Sequence, residues 1–143
     1  MQLTKHTDFS LRVLIFLSLQ EDNSLVTIDD IAEHFNILKN HLTKIVHKLS
    51  KYGYVKTVRG KNGGICLARS PDQMNLGAII KEMETNTEIV NCEKPACPLH
   101  MNCVLKGVLN EAQLAFFTTL EQYTLADISK PQQKIKNLLS WPA

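Results

Sequence analysis

Apolar residues recur at helical spacing in two neighbouring stretches of the chain. The first stretch contains Ile28, Ile31, Ala32 and Phe35, and after a break at Asn36-Ile37 the second contains Leu42, Ile45, Val46 and Leu49. Each set falls on one face of an α-helix, because the helix turns once in about 3.6 residues. Thr27, followed three residues later by Asp30, is typical of a capping box that starts the first helix. Two such helices with a short turn between them predict a helix-turn-helix over about residues 28–51.

A β-hairpin is expected directly after this pair of helices. Gly53 is typical of a helix end, and Tyr54–Val58 and Ile65–Ala68 have the composition of two short strands. The segment between them, Arg59–Gly64, is basic and rich in glycine, but it lacks the spacing of a nucleotide-binding loop and no helix follows it. We therefore expect a mainly α fold with a small β-hairpin, in which residues 54–68 form the wing of a winged helix-turn-helix.

The net charge of the 143-residue chain is only +2, yet its basic residues are concentrated in one region. Between His34 and Pro71 there are eight Lys or Arg residues and no Asp or Glu. Such a block is typical of a surface that binds a polyanion, although a solvated helix face would also account for it. Outward positions of the second helix carry donors for phosphates and base edges, which indicates double-stranded DNA read in the major groove. The candidate DNA-binding residues are Lys39, Asn40, His41, Thr43, Lys44, His47 and Lys48 on that helix, with Arg59 and Lys61 at the wing tip.

The N-terminal apolar stretch predicts a buried first helix rather than a targeting or membrane segment. Arg12 interrupts the apolar run, no cleavage site follows it, and the run is too short to cross a bilayer. Thr7 is a suitable N-cap, and it places Asp8 in the first turn, where a carboxylate interacts favourably with the helix dipole. Glu21–Ser24 is expected to be a loop. The overall composition, 44% hydrophobic and 21% charged, is ordinary for a soluble globular protein without membrane partners.

The C-terminal half predicts one short and one long helix. Asn75 is a suitable cap for a helix over Leu76–Met83. From Val104 to about Tyr123, apolar residues trace a longer amphipathic stripe than a winged helix needs, so a partner subunit is its expected cover and packing within the chain is the alternative. Thr124–Asp127 repeats the capping-box pattern. The sequence gives no interpretation of residues 131–143.

Three of the four cysteines lie close together, in a segment that is unsuited to a helix or a strand. Cys92, Cys97 and Cys103 are spaced C-x4-C-x5-C among two prolines and several polar residues. Three thiolates at one point require a cation between them, which favours a metal or an iron–sulfur cluster over three surface thiols. Zinc is less favoured because structural zinc sites usually have two C-x2-4-C knuckles and four protein ligands, and this segment has no such pair of knuckles. The fourth ligand stays open between His100, Cys66 and an oxygen or nitrogen from elsewhere in the molecule.

The cysteine content also indicates which cellular compartment to expect. Four cysteines without an even, evenly spread framework do not predict a secreted disulfide scaffold. A chain that keeps its thiols for a metal is suited to a reducing cytoplasm. The expected organisation is a DNA-binding domain over residues 1–84, a cluster-binding cysteine loop over 85–103, and a dimerisation helix with a C-terminal tail over 104–143.

A winged helix, a cysteine loop and a long helix, in this order, resemble the iron–sulfur winged-helix transcription regulators of the NsrR/IscR family. The resemblance covers nearly the whole chain, and its most specific stretches are Gly53-Tyr54-Val55, Val58–Gly64 and Val90-Asn91-Cys92. IscR-like members have a histidine three residues after the last cysteine, whereas this chain has Lys106 there. The resemblance is therefore closer to the nitric-oxide-sensing NsrR-like members.

The resemblance implies roles for several residues. In NsrR-like proteins an aspartate at the start of the first helix completes the cluster across the dimer, and Asp8 matches that position. The implied ligands are thus Cys92, Cys97, Cys103 and Asp8 of the partner subunit, with His100 a spectator. Cys66, which the pattern assigns to a wing strand, is expected to be a buried, inert thiol.

One further position departs from the family pattern. Leu38 replaces the serine that normally caps the recognition helix, so either the start of that helix is less firmly fixed or Asn36 assists it.

The function implied is that of a cytoplasmic, homodimeric repressor and not of an enzyme. It would bind a palindromic operator, sense nitric oxide through an iron–sulfur cluster, 4Fe–4S in preference to 2Fe–2S, and leave the DNA on cluster nitrosylation. The first alternative is an IscR-like regulator of redox or cluster status. The second is an iron–sulfur electron carrier or enzyme, which is less favoured because no catalytic base, nucleophile pair or substrate motif accompanies the cysteines.

Overall fold

The computed structural model describes residues 2–20 and 24–139, and these form seven α-helices and one β-hairpin. The elements in chain order are α1 (Lys5–Ser18), α2 (Ile28–Phe35), α3 (Lys39–Lys51), β1 (Val55–Val58), β2 (Gly64–Leu67), α4 (Leu76–Met83), α5 (Val104–Leu120), α6 (Leu125–Ile128) and α7 (Gln132–Leu138). Short 3-10 turns lie at Pro71–Gln73 and His100–Asn102. This order confirms the mainly α fold with a small hairpin. No helix within the described ranges is long and apolar enough to cross a membrane.

The helix-turn-helix is formed by α2 and α3. The predicted capping box is present, because Thr27 Oγ1 accepts from Asp30 N at 3.2 Å and Asp30 Oδ2 accepts from Thr27 N at 3.0 Å. Asn36, at a φ of 51°, ends α2 in the left-handed conformation that Asn tolerates better than most residues. Asn36 therefore terminates α2, and Leu38 is the N-cap of α3 but makes no side-chain cap hydrogen bond.

The main core lies between α1, the helix-turn-helix and the hairpin. Helix α1 contributes Val13, Leu14 and Phe16, all at most 2% exposed, and α3 contributes its apolar stripe Leu42, Ile45, Val46 and Leu49. The hairpin is antiparallel, with Val55 opposite Leu67 and Val58 opposite Gly64. Ile65 also exchanges two backbone hydrogen bonds with Val26, at 3.0 and 2.8 Å, which ties the wing to the chain ahead of α2.

A second, smaller core joins α4 to the C-terminal end of α5. It contains Leu76, Ile80 and Phe117. Asn75 caps α4 as predicted, accepting from Ala78 N at 3.0 Å, and its side-chain amide also donates to Glu121 O at 2.7 Å. Lys81 Nζ lies 2.5 Å from the Glu121 carboxylate. These bonds bring α4 so close to Glu121 that only glycine fits at position 77 without a shift.

Two sequence-based expectations need correction. Helix α1 begins at Lys5 with Thr4 as its N-cap, because Thr4 Oγ1 accepts from Thr7 N and Thr7 is fully buried inside the helix. Helix α5 ends at Leu120 rather than near Tyr123, because Tyr123 O accepts a hydrogen bond from Leu76 N at 2.9 Å. Within the C-terminal tail, which has no sequence-based interpretation, Gln132–Leu138 form α7. Glu21, Asp22 and Asn23 of the expected loop lie outside the described residues.

Replacing Gly77 by Ala should lower the free energy of unfolding by about 1–3 kcal/mol, as overpacking does elsewhere. The added methyl group would lie 2.6 Å from Glu121 Cγ and 3.1 Å from Glu121 N, so the α4–α5 contact would have to open. Gly107→Ala in α5 is the matched control, since nothing described lies within 4 Å of its added Cβ. That change should be neutral or stabilising by up to about 1 kcal/mol. Urea unfolding followed by circular dichroism measures both, and equal destabilisation would contradict the packing argument.

Candidate DNA-binding surface and cysteine segment

The face of α3 directed away from the core carries most of the predicted DNA-binding residues. The exposed ones are Lys39, Asn40, His41, Thr43, Lys44 and His47, and they project from the helix side opposite its buried stripe. Two of them have partners within the chain. Lys39 Nζ lies 2.7 Å from both carboxylate oxygens of Asp29, and Thr43 Oγ1 donates to Lys39 O at 3.0 Å. An exposed ion pair of this kind is worth at most about 1 kcal/mol, so a phosphate can compete for Lys39.

An open groove of about 660 Å³ lies between α3 and the wing. Its polar lining comes from Thr43, His47 and Ser50 on α3 and from Lys56, Thr57 and Arg59 on the wing. Ser50, Lys56 and Thr57 are not among the DNA contacts that the sequence predicts. Lys56 could have been found, because it belongs to the basic block and alternation along the strand directs it away from the buried Val55. The groove adds neutral hydroxyl donors to the positive surface, and protein–DNA interfaces use both kinds of donor on phosphates.

Lys48 differs from the other basic residues of α3. It is half-buried, and its Nζ donates to the backbone carbonyl of Met83 at the end of α4, at 2.8 Å. The sequence places it among the candidate DNA contacts, whereas the structure gives it a partner inside the chain. Arg59 and Lys61 at the wing tip are exposed.

The base of the wing is held by a small aromatic network. Tyr54 Oη donates to Glu82 Oε2 at 2.5 Å, and the Arg69 guanidinium lies 4.5 Å from the centre of the Tyr54 ring. Arg69 also donates to the carbonyls of Gly53 and Tyr52, at 3.0 and 3.2 Å. Burial, followed by the hydrogen bond to Glu82 and its negative charge, raises the pKa of Tyr54 well above its usual value of 10.0. These contacts hold the wing, the C-terminal end of α3 and helix α4 in fixed positions relative to one another.

The cysteine segment is a series of turns that leads into α5. Cys97 N donates to Cys92 O at 3.0 Å, and His100 N donates to Cys97 O at 3.1 Å. Cys103 is the N-cap of α5, where its Sγ accepts from Lys106 N at 3.4 Å. Among the described residues all four cysteines are free thiols and partly exposed.

The three predicted cysteine ligands share this segment and Asp8 lies outside it, and the four side chains do not converge on one point. The described ranges contain no group of three or more His, Cys, Asp or Glu side chains placed to hold one metal ion. Asp8 lies in the first turn of α1 and pairs with Arg12 at 2.8 Å, with 44% of its side chain exposed. His100 Nε2 lies 3.4 Å from Lys106 Nζ. Cys66 lies in β2 as expected, but it is partly exposed rather than buried.

The donor set nevertheless fits an iron–sulfur cluster. It offers three unpaired thiols that solvent can reach, one of them at a helix N-terminus. Thiolates are the usual protein ligands of such clusters. An accessible carboxylate whose partner within the chain is a half-exposed arginine can exchange that ion pair for another bond at small cost.

Comparison with known proteins decides the family. Residues 3–131 match the Rrf2 family, described as "Iron-dependent Transcriptional regulator". The chain belongs to the Rrf2 family. Its relatives include the HTH-type transcriptional regulator NsrR of Bacillus licheniformis, which is 49% identical over 143 residues covering 98% of this chain and 100% of the relative. NsrR of Bacillus subtilis is 44% identical over 142 residues, with 97% of each chain covered.

Solved structures agree with this Rrf2 fold. The structure of T. potens IscR matches with a TM-score of 0.76 at 24% identity, covering 95% of this chain and 91% of that one. CymR, described as the global cysteine regulator of B. subtilis, matches with a TM-score of 0.72 at 23% identity, covering 90% and 96%. The predicted resemblance is confirmed. As an Rrf2 member the chain is a DNA-binding transcription regulator and not an enzyme, as the sequence predicted.

The raised pKa of Tyr54 predicts a loss of stability at alkaline pH in this Rrf2 chain. The folded state keeps the phenolic proton where the unfolded chain has already lost it. The contribution of Tyr54 to the free energy of unfolding is therefore fully present below pH 10.0 and falls as pH rises through the folded pKa. Urea unfolding between about pH 8 and about pH 11 measures this fall.

Tyr54→Phe provides the control, because it keeps the ring beneath Arg69 and removes only the hydroxyl. Its stability should decline less over the same alkaline range. Ultraviolet titration of tyrosinate should show that one of the three tyrosines ionises after the other two. Simultaneous ionisation of all three would contradict the buried Tyr54–Glu82 bond.

Proposed function

We propose that this chain is a homodimeric repressor that senses nitric oxide through an iron–sulfur cluster and leaves its operator when the cluster reacts. The observation that carries the proposal is the position of the cysteine segment. It runs from the end of α4, which contacts α1 and α3, directly into α5, whose first residue follows Cys103. The segment is therefore continuous in the chain with both the DNA-binding unit and the proposed dimer helix.

The DNA-binding part of the proposal rests on the outer face of α3. Asn40, His41, Lys44 and His47 are exposed, and the groove beside the wing supplies further donors. A recognition helix of this kind contacts base edges from the major groove while the wing contacts the backbone. In a symmetric dimer the two recognition helices would meet a palindrome whose half-sites lie about 10 base pairs, or a multiple of that, apart.

The dimer rests on the exposed apolar residues of α5. Val104, Leu105, Val108 and Leu114 are 81, 64, 55 and 67% exposed, whereas Phe117 near the helix end is buried against α4. Several large apolar side chains exposed on one helix are typical of an interaction site. A second copy of α5 is the proposed cover, since a two-fold axis lets the same stripe serve both subunits.

The cluster would be held by Cys92, Cys97 and Cys103, with Asp8 of the partner subunit as the fourth ligand. When bound, it would supply iron that reacts with nitric oxide. A carboxylate is a harder ligand than a thiolate, so it is the ligand most easily exchanged on iron. Asp8 lies in the first turn of α1, and Arg12, at 2.8 Å, is ready to pair with it once it is released. A bond between Asp8 and the cluster held by the partner subunit would thus determine whether the start of α1 is tied to that subunit. A 4Fe–4S cluster is favoured over 2Fe–2S, and a cytoplasmic location remains a prediction.

The decisive experiment is an anaerobic nitric oxide titration followed by visible absorption and DNA binding together. Freshly purified protein should show a broad sulfide-to-iron band that decreases in step with the loss of DNA binding. Replacing Cys92, Cys97 or Cys103 by Ser should abolish the band. Cys66→Ser is the matched control and should leave the band and the titration unchanged, because Cys66 lies in β2 away from the segment.

Two results would overturn the sensing mechanism. A colourless, zinc-containing protein that stays on DNA throughout the titration would leave only a winged-helix regulator with a structural metal. A coloured protein that reacts slowly with nitric oxide, but loses DNA binding quickly in oxygen, would favour a redox or cluster-status regulator of the IscR type.

Replacing Asp8 by Ala should leave cluster-loaded protein but change the amount of nitric oxide needed to release DNA. The same replacement also breaks the exposed Asp8–Arg12 ion pair, which contributes about 0.3–0.5 kcal/mol in helices. Arg12→Ala breaks that pair from the other side and is the control. If both variants respond alike, or if neither differs from the unmodified protein, Asp8 is not the fourth ligand.

A further inference from the structure

Two adjacent residues at the end of α4 bind two other helices of the DNA-binding unit, α3 and α1. Met83, the last residue of α4, accepts the ammonium of Lys48 on its carbonyl at 2.8 Å. Glu84, the next residue, accepts the backbone N–H of Thr4 at 2.8 Å and the Thr4 hydroxyl at 3.3 Å. Thr4 is the N-cap of α1. The Met83 carbonyl and the Glu84 side chain therefore join the recognition helix to the start of the helix that carries Asp8.

The interior of this junction is occupied by His6. Its Nδ1 is buried and, within the described part of the chain, has no hydrogen-bond partner. Burial lowers the pKa of His6, the nearby Lys48 ammonium lowers it further, and Glu84 opposes both. His6 therefore lies near both Lys48 and Glu84.

The contact with Met83 makes Lys48 less exposed to solvent than the other lysines of α3. Lys39, Lys44 and Lys51 are exposed, whereas Lys48 is half-buried along its stem. Its ammonium lies on the last carbonyl of α4, where the helix dipole is negative and a cation is stabilised. A lysine held there cannot also extend to a phosphate without breaking this bond.

We propose that Lys48 is a positioning residue, which with Glu84 forms a latch that sets the position of the recognition helix rather than contacting DNA. The latch ties α3, through the end of α4, to the first turn of α1 and to the segment that continues to Cys92. This inference rests on the proposed function, since it assigns the route by which a change at Asp8 or at the cysteines reaches α3. Lys48 is then no longer a predicted DNA contact, whereas Lys44 remains one.

The salt dependence of DNA binding separates the two roles of a lysine. A phosphate contact releases counterions, so its removal lowers the slope of log affinity against log salt by about 1. A positioning residue changes affinity without changing that slope. The probe is a labelled duplex selected by the unmodified full-length protein from a random pool of about 30 base pairs, long enough for two half-sites. Binding is followed by fluorescence anisotropy under anaerobic conditions.

Lys48→Met, which keeps the apolar stem, should weaken binding about tenfold at every salt concentration with an unchanged slope, since misplacing α3 loses roughly one good base contact. Lys44→Met is the matched control and should lower the slope by about 1. A comparable fall in slope for Lys48→Met would show that Lys48 contacts a phosphate and would overturn the proposal. Failure of the unmodified protein to bind any duplex at low salt would instead overturn the proposed function.

Glu84→Ala tests the other half of the latch without altering α3. It should weaken DNA binding with an unchanged slope, and the double variant with Lys48→Met should bind no more weakly than the weaker single variant, because both changes open one junction. Glu88→Ala removes an exposed carboxylate further along the same segment and controls for the lost negative charge. Circular dichroism confirms folding of each variant. Unchanged affinity for Glu84→Ala, or full additivity in the double variant, would overturn the latch.

Discussion

The burial of α1 is the constraint on which the other parts of this molecule depend. The helix contacts α3, α4, α6 and β2, and Val13 and Leu14 are completely excluded from solvent. Even Thr7 and Ser10 are buried there, with Ser10 Oγ donating to His6 O at 2.7 Å so that its hydroxyl is satisfied. A helix packed on all these sides cannot tilt without disturbing each neighbour, because protein interiors are close-packed. The side of α1 that carries Asp8 and Arg12 is less enclosed, and both side chains are half-exposed.

The same packing explains why the DNA-facing surface can be so strongly basic. The apolar stripe of α3 is buried on α1 and β1, so the polar side of α3 does not have to contribute to packing of the core. Like charges on one helix face repel, yet they are spaced along an exposed surface where water screens them. Several acidic residues of this unit have partners of their own: Asp29 pairs with Lys39, while Glu82 and Glu84 are bound to Tyr54 and Thr4.

Local signals in the sequence predicted most elements, and tertiary contacts explain the differences. The capping boxes at Thr27 and Thr124 and the cap at Asn75 each depend on residues within three positions, so the sequence reveals them. The start of α1 was misplaced because Thr4 and Thr7 are equally good caps, and the choice depends on a bond from Thr4 to Glu84, distant in sequence. Lys48 could not be distinguished from Lys44 by pattern, since its acceptor is a backbone carbonyl, which every residue has. The cysteine segment is recognisable by composition, but a fourth ligand is not, because a ligand distant in the chain or from a second subunit would leave no spacing pattern in the sequence.

Helix α5 links these properties to assembly. Its C-terminal end is anchored within the chain by Phe117, by the bond from Asn75 to Glu121 and by the ion pair of Lys81 with Glu121. Its N-terminal end starts at Cys103 and carries the exposed apolar residues. A rigid helix transmits a rotation at one end to the other, so the anchored end fixes the direction in which the cysteine end projects. A partner that covers the N-terminal half of α5 would therefore lie beside the cysteine segment, where it could supply a ligand. Covering the apolar stripe and completing the cluster would then depend on the same contact between subunits.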